Sequence, residues 1–307
     1  MNRFFLVACL LIPAGCSGPA DRPAAGSSGS QSGKLSVLAT TGMIADAARI
    51  VGGERVEVAA LMGPGVDPHL YQPTARDQGK LKAAQLVFYN GLHLEGKMVE
   101  IFEALAQQKH VVAVSSGISE GRLLSWKTSA GMHDPHIWFD VKLWEEAVRT
   151  IARAYSESDP PHAAEYERRA SQYLTELDAL HQYCLDRADE LPEGQRVLIT
   201  SHDAFHYFGR AYGFEVVGIQ GISTDSEAGL KAITDAVDLI RARHIRAIFP
   251  ETSVPRAAIE RVAKDSEAKL GPELYSDALG SPDTSAGNYV GMIRTNIDNI
   301  VNSLKDR

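Results

Sequence analysis

Leu35-Ser36-Val37-Leu38-Ala39-Thr40-Thr41-Gly42-Met43-Ile44-Ala45-Asp46-Ala47-Ala48-Arg49-Ile50-Val51-Gly52-Gly53 carries the pattern that decides the fold. Leu35 to Ala39 is a short apolar run of strand length. Thr41 to Val51 has helical period and stops at Gly52-Gly53. A second aliphatic run, Val56 to Met62, follows at once. The same alternation continues outward through apolar runs at Leu86 to Tyr89, Val111 to Val114, Arg196 to Thr200, Val216 to Ile219 and Ala247 to Phe249. Helical stretches lie between them. Thr74 to Ala84 follows Pro73 with a hydroxyl cap, and His202 to Tyr212 ends at Gly213. Ser226 to Arg243 and Pro255 to Leu270 are longer, the latter with proline in its first turn and Gly271 after it. Strands alternating with helices imply parallel sheets covered by helices, an α/β fold.

One stretch breaks the rhythm. From about Pro161 to Leu191 there is no strand signal, only a long helical pattern with Tyr166, Ala170, Tyr173, Leu174, Leu177, Leu180 and Cys184 spaced by three and four. It is either a surface helix of one domain or a rigid rod between two lobes, and its length and central position favour the rod. The expected layout is an N-terminal lobe over 34–160, the linking helix over 161–191 and a C-terminal lobe over 192–307. Each lobe is expected to be a mainly parallel sheet flanked by helices.

The chain's 307 residues suffice for two such lobes, and 44% hydrophobic with 23% charged residues is ordinary globular composition. Lys plus Arg is 31 against 39 for Asp plus Glu, a net charge of −8. No basic excess exists to neutralise phosphates, so nucleic acid is not the expected partner.

The N-terminus reads as an address. Met1-Asn2-Arg3 is a short basic start, and Phe4 to Ile12 is an apolar run too short for the roughly 20 residues of a membrane span. Pro13-Ala14-Gly15 then leads into Cys16. Small residues directly before a cysteine resemble a bacterial lipobox, in which that cysteine becomes the lipidated first residue, although Pro13 stands where such motifs usually carry Leu. A signal peptide over 1–15, lipidation at Cys16 and a Gly/Ser/Ala/Pro tether over 16–33 are expected. The implied location is periplasmic or cell-surface, anchored by lipid. With Cys9 in the signal and Cys16 lipidated, Cys184 has no partner for a disulfide.

Ten histidines are present, and His93, His110, His162, His181 and His244 have no metal-like company. The others stand in motifs. Gly65-Val66-Asp67-Pro68-His69-Leu70-Tyr71 lies in the loop after a strand, the edge where α/β sheets place ligands. Its core recurs in His133-Asp134-Pro135-His136-Ile137-Trp138-Phe139-Asp140. Proline limits the backbone beside each imidazole, so the ring is presented with little entropy to lose. A third motif, Thr200-Ser201-His202-Asp203-Ala204-Phe205, again follows a strand, and Tyr275-Ser276-Asp277-Ala278-Leu279 offers a loop carboxylate further on. Imidazoles and a carboxylate from four loops suit a divalent transition metal.

These motifs, with Tyr89-Asn90-Gly91-Leu92-His93-Leu94-Glu95, Gln220-Gly221-Ile222-Ser223-Thr224, Phe249-Pro250-Glu251-Thr252-Ser253 and Tyr289-Val290-Gly291-Met292, resemble the cluster A-I solute-binding lipoproteins of metal ABC importers, in particular their TroA-like members. The resemblance covers almost the whole body. It implies metal ligands at His69, His136, His202 and Asp277, a pair from each lobe, and a long linking helix. It also implies Zn2+ or Mn2+ as cargo, with Fe2+ acceptable to the same donors. The implied role is extracytoplasmic capture by a monomer that delivers the ion to an importer permease and its ATPase.

Two histidines depart from the pattern: His206, one turn beyond His202, and His133, just before the second Asp-Pro-His. Both are expected outside the ligand set. Lys127 to Met132 is short, where many zinc-dedicated relatives carry a His- and acid-rich loop. Two other readings compete with capture. A zinc hydrolase needs an open coordination position and a general base, for which Glu251 or Asp203 would serve. A surface adhesin with a structural metal requires no chemistry of its own.

Overall fold

A parallel strand covered on both faces has to be apolar along its length rather than alternating, and β1 (Leu35–Ala39) meets that condition, with Val37, Leu38 and Ala39 buried. The computed structural model describes residue 1, residues 33–126 and residues 131–305. Apart from Met1 and Gly33, the expected export segment and tether, Cys16 included, lie outside the described residues, as do residues 127–130 of the short loop.

Helix α1 (Gly42–Gly52) follows β1 and leads into β2 (Val56–Ala60), which pairs parallel to β1 with Leu35 opposite Val56 and Ala39 opposite Ala60. The junction is tight. A Cβ on Gly52 would stand 2.3 Å from Val56 Cγ2, and Gly53 takes φ 56°, so the glycine pair read as a helix stop is sterically required. Helix α2 (Ala75–Ala83) opens on a capping box: Thr74 Oγ1 accepts from Asp77 N–H while the Asp77 carboxylate accepts from Thr74 N–H. Then come β3 (Leu86–Tyr89) on the other side of β1, α3 (Val99–Ala106) and β4 (His110–Ala113) beside β3. The first sheet is β2-β1-β3-β4, all parallel.

Two helices follow without a strand. Asp140 caps α4 (Val141–Ser158) by accepting from Lys142 N–H, and a turn at Pro160–His162 leads into α5 (Ala163–Ala188), 26 residues and about 39 Å long. The second half then alternates as the first does: β5 (Val197–His202), α6 (His206–Tyr212), β6 (Glu215–Gln220), α7 (Leu230–Arg243), β7 (Ala247–Ile248), α8 (Ala257–Ser266), β8 (Lys269–Leu270) and α9 (Tyr289–Lys305). Strands β5 and β6 pair parallel, as do β7 and β8. A parallel bridge between Thr200 and Phe249, with Phe249 N–H donating to the Ile199 carbonyl at 2.8 Å, joins the two pairs. The resulting order, β6-β5-β7-β8, repeats the first sheet's arrangement of second, first, third and fourth strand.

Three sequence expectations need correction. The helix expected from Ser226 begins at Leu230. The helix expected from His202 begins at His206, because His202 is still the last residue of β5, opposite Gln220 of β6. The helix expected to run through Leu270 stops at Ser266. Glu267 is left-handed there, with φ 65°, and Lys269–Leu270 pair with β7. Helices α3, α4 and α9 lie where the sequence reading names no helix.

The apolar stripe of α5 is buried at Tyr166, Ala170, Tyr173, Leu177, Leu180 and Cys184, and the helix packs against α1, α4 and α9. One hydrophobic cluster runs through Val37 of β1, Ile151 of α4, Leu177 of α5, Phe208 of α6 and Ile297 of α9. The long helix is therefore supported along its length by elements from both halves. Leu177→Ala, which removes a fully buried side chain from this seam, should cost about 2–5 kcal/mol of stability in urea unfolding. A loss below about 1 kcal/mol would show that α5 is not built into the core.

Candidate metal centre

Parallel strands deliver the chain to one edge of a sheet, and the candidate residues leave from that edge. His69 lies in the loop after β2, His136 in the segment after β4, His202 at the end of β5 and Asp277 in the loop after β8. Each is at most 3% exposed. One ligand atom from each of the four lies within 4.8 Å of all the others, the only such group among the described residues.

The two Asp-Pro-His motifs fold alike. In each, the aspartate Oδ1 accepts the histidine N–H two residues on, Asp67 from His69 at 2.8 Å and Asp134 from His136 at 2.9 Å. These are Asx turns, so the aspartate as well as the proline sets the backbone under the imidazole. Asn90 adds a clamp by donating from Nδ2 to the Pro135 carbonyl at 2.9 Å.

Carboxylates also fix the rings. Asp134 Oδ1 stands 2.7 Å from His136 Nδ1, and Glu251 Oε2 stands 2.5 Å from His202 Nδ1 while its Oε1 accepts His202 N–H at 2.8 Å. An Nδ1 held by a carboxylate leaves Nε2 for a metal and makes it more basic. The Nε2 atoms do converge: His69 to His136 at 3.3 Å, His136 to Asp277 Oδ1 at 3.5 Å, and His202 to Asp277 Oδ2 at 3.5 Å. Ser253 Oγ donates to Asp277 Oδ2 at 3.2 Å, and Trp138 packs edge-on to His136 while its Nε1–H donates to the Ser276 carbonyl. His202 Nε2 and Asp277 Oδ1 are buried with no hydrogen-bond partner. Unpaired buried polar atoms are uncommon, and a cation between these two would satisfy both.

The electrostatics divide the histidines. Burial pushes His69 down to about 3, with Asp277 opposing it. Burial also disfavours charge on His136, but the Asp134 and Asp277 carboxylates outweigh it and raise the group to about 10. His202 is likewise raised, Glu251 and Asp277 overcoming its burial. Asp277 is itself buried, yet His202 and His136 hold it well below the usual carboxylate range. The metal-free centre thus keeps a proton on His136 at neutral pH. Losing that proton as a cation enters offsets part of the charge brought into this buried site and so lowers the desolvation penalty.

The remaining sequence candidates stand apart. His206 Nε2 lies 3.4 Å from Asp203 Oδ1, outside the four-residue group. His133 bridges Ser125 in a short antiparallel contact. Asp203 accepts Gly218 N–H at 2.7 Å, and both oxygens of Glu251 are taken by His202. Sequence reasoning missed the orienting roles of Asp134, Asp67, Glu251, Asn90 and Ser253. The repeated Asp before Pro-His was a signal for the first two. Glu251 carried none, since it meets His202 across 49 residues.

The chain is similar to several characterised proteins. Residues 37–303 match the family described as zinc-uptake complex component A, periplasmic (ZnuA). The manganese-binding lipoprotein MntA of Bacillus subtilis is 43% identical over 277 residues, 89% of this chain and 90% of the relative. The zinc-binding protein TroA of Treponema pallidum is 45% identical over 89% of each chain. The solved structure of that periplasmic zinc-binding protein superposes with a TM-score of 0.87, covering 89% of this chain and all of the other.

If His136 coordinates a metal, it must first lose the proton from Nε2, so metal affinity should rise with pH. The rise should continue beyond the ordinary histidine range and level off only as His136 titrates near 10. Calorimetric titrations in buffers of different ionisation enthalpy would also count the protons released. An affinity that is flat between neutral pH and about pH 9 would contradict this picture.

Proposed function

The chain belongs to the zinc-uptake complex component A family, and from that premise we propose that it captures a divalent transition metal outside the cytoplasmic membrane and delivers it to an ABC importer. His69, His136, His202 and Asp277 are the ligands in this reading. The observation that carries it is the buried group of four ligand atoms within 4.8 Å, with His202 Nε2 and Asp277 Oδ1 left without hydrogen-bond partners.

The donor set bears on the cargo. Three imidazoles and a carboxylate accept Zn2+, Mn2+ and Fe2+, and the Irving–Williams order makes zinc the tighter ligand in a free competition with manganese. Asp277 turns one oxygen toward His136 and the other toward His202, each at 3.5 Å. A bidentate hold by both oxygens would raise the coordination number in the way manganese prefers. We assign manganese and zinc together as cargo, in keeping with relatives named for each.

The partners are a permease and its ATPase, reached by a monomer held at the membrane through Cys16. No helix among the described residues is long and apolar enough to cross a membrane. A hydrolase is disfavoured: Asp277 would fill the fourth position of a catalytic zinc, and Glu251, the nearby candidate base, is engaged by His202. The lobes are 34–160 and 192–307, joined by 161–191. The long buried contact of α5 supports treating that link as stiff.

Single replacement of His69, His136, His202 or Asp277 by Ala should weaken zinc and manganese binding by orders of magnitude, zinc remaining the tighter ion. In cells, deletion should lower manganese content and manganese-dependent growth as well as zinc. A strain depleted of zinc alone would remove manganese from the assignment. A stiff link also implies a small tilt of the lobes on metal binding rather than wide closure. Solution scattering checks this, and a fall of several ångströms in radius of gyration would rule it out.

A further inference from the structure

His69 is held differently from the other two histidines. His136 and His202 each have a carboxylate on Nδ1 as well as on the backbone N–H. Asp67 reaches His69 through the backbone N–H, and its second oxygen, Oδ2, accepts the Thr224 hydroxyl at 2.6 Å. Thr224 lies 157 residues further along the chain, in the half that carries His202. It is 7% exposed, and its hydrogen bond to a carboxylate is short and charge-assisted.

The segment that presents Thr224 is itself anchored to the centre. Gln220, the last residue of β6, pairs in register with His202, the last residue of β5. From that position its Nε2 donates to the Thr224 carbonyl at 3.0 Å and to the Ser226 carbonyl at 2.5 Å, folding residues 221–226 back on the strand end. A continuous path therefore runs from His202 to Gln220, on to Thr224, across to Asp67 and so to His69. The next residue, Asp225, faces Lys97 of the first half at 3.6 Å, an exposed pair that adds little by itself.

Resting on the metal-capture reading, we propose that Thr224 is a positioning residue that sets how long the ion stays bound. Its hydroxyl grips Asp67 and thereby registers the His69 loop against the strand end that carries His202. With the grip made, His69 Nε2 is held at the centre. When it breaks, the His69 loop loses its hydrogen bond to the other half and keeps ring packing against His202, the ligand set loosens on that side, and the ion leaves faster. His69 suits this role because its ring lacks the carboxylate brace that the other two possess.

The test is metal release from the full chain preloaded with zinc, followed by stopped flow into excess chelator, together with the visible spectrum of the cobalt-substituted protein. Thr224→Val keeps the shape and removes the hydroxyl. It should speed release about ten- to a hundredfold, the range expected for losing a hydrogen bond to a charged group. It should also shift the cobalt ligand-field bands, while Thr224→Ser restores both. A merely structural role would lower the unfolding midpoint and leave release and spectrum unchanged. Wild-type release with a wild-type spectrum in Thr224→Val would overturn the proposal. Failure of the wild-type chain to bind zinc or cobalt would be a different result, sinking the capture reading and this one with it.

Discussion

Three imidazoles and a carboxylate are gathered at the centre of this molecule with almost no access to water, and the surrounding structure is arranged around the cost of keeping them there. An isolated buried charge is expensive, so each such group needs a partner. Asp134 and Glu251 answer His136 and His202 from outside, and Asp277 answers both from inside. Those partners need holding in turn, which brings in Ser253, Trp138, Asn90 and the Asx turns of both Asp-Pro-His motifs. The centre and its supports form one network.

That network can form because two sheets of the same strand order each send loops out at the carboxyl edge. The first sheet supplies His69 and His136, and the second supplies His202 and Asp277. Neither half holds the whole four-residue group. A geometry that depends on two sheets needs their relative position to be well determined, and the shared core along α5, α1, α4 and α9 meets that need. The Asp67–Thr224 bond is the local counterpart of the same requirement, made beside the four-residue group.

The two structural roles differ in strength by design of their chemistry. Apolar packing along α5 is extensive and lacks direction, so it tolerates a small tilt without breaking. A single charge-assisted hydrogen bond is short, directional and lost within a fraction of an ångström. Stiffness of the body and release at the centre can then be governed by separate elements, one spread over many side chains and one concentrated in Thr224.

Much of this was legible along the chain. Continuous apolar strands, glycine stops and helical spacing identify the α/β alternation, because those patterns depend on burial and backbone sterics within a few residues. The long helix shows itself by its three-and-four spacing, and the Asp-Pro-His repeat draws attention to His69 and His136. Element ends were less legible. His202 has the look of a helix start, but its pairing with Gln220 keeps it in β5, and Lys269–Leu270 continue an apolar helical pattern yet pair with β7. Both outcomes rest on neighbours distant in sequence. The same reason hides Glu251, Thr224 and the raised proton affinity of His136: each is a property of contacts made across tens of residues or more. Local sequence therefore determined the elements and most of the donor types. Only the tertiary structure decided which oxygen faces which ring, because that depends on how two separately built sheets come to rest against one core.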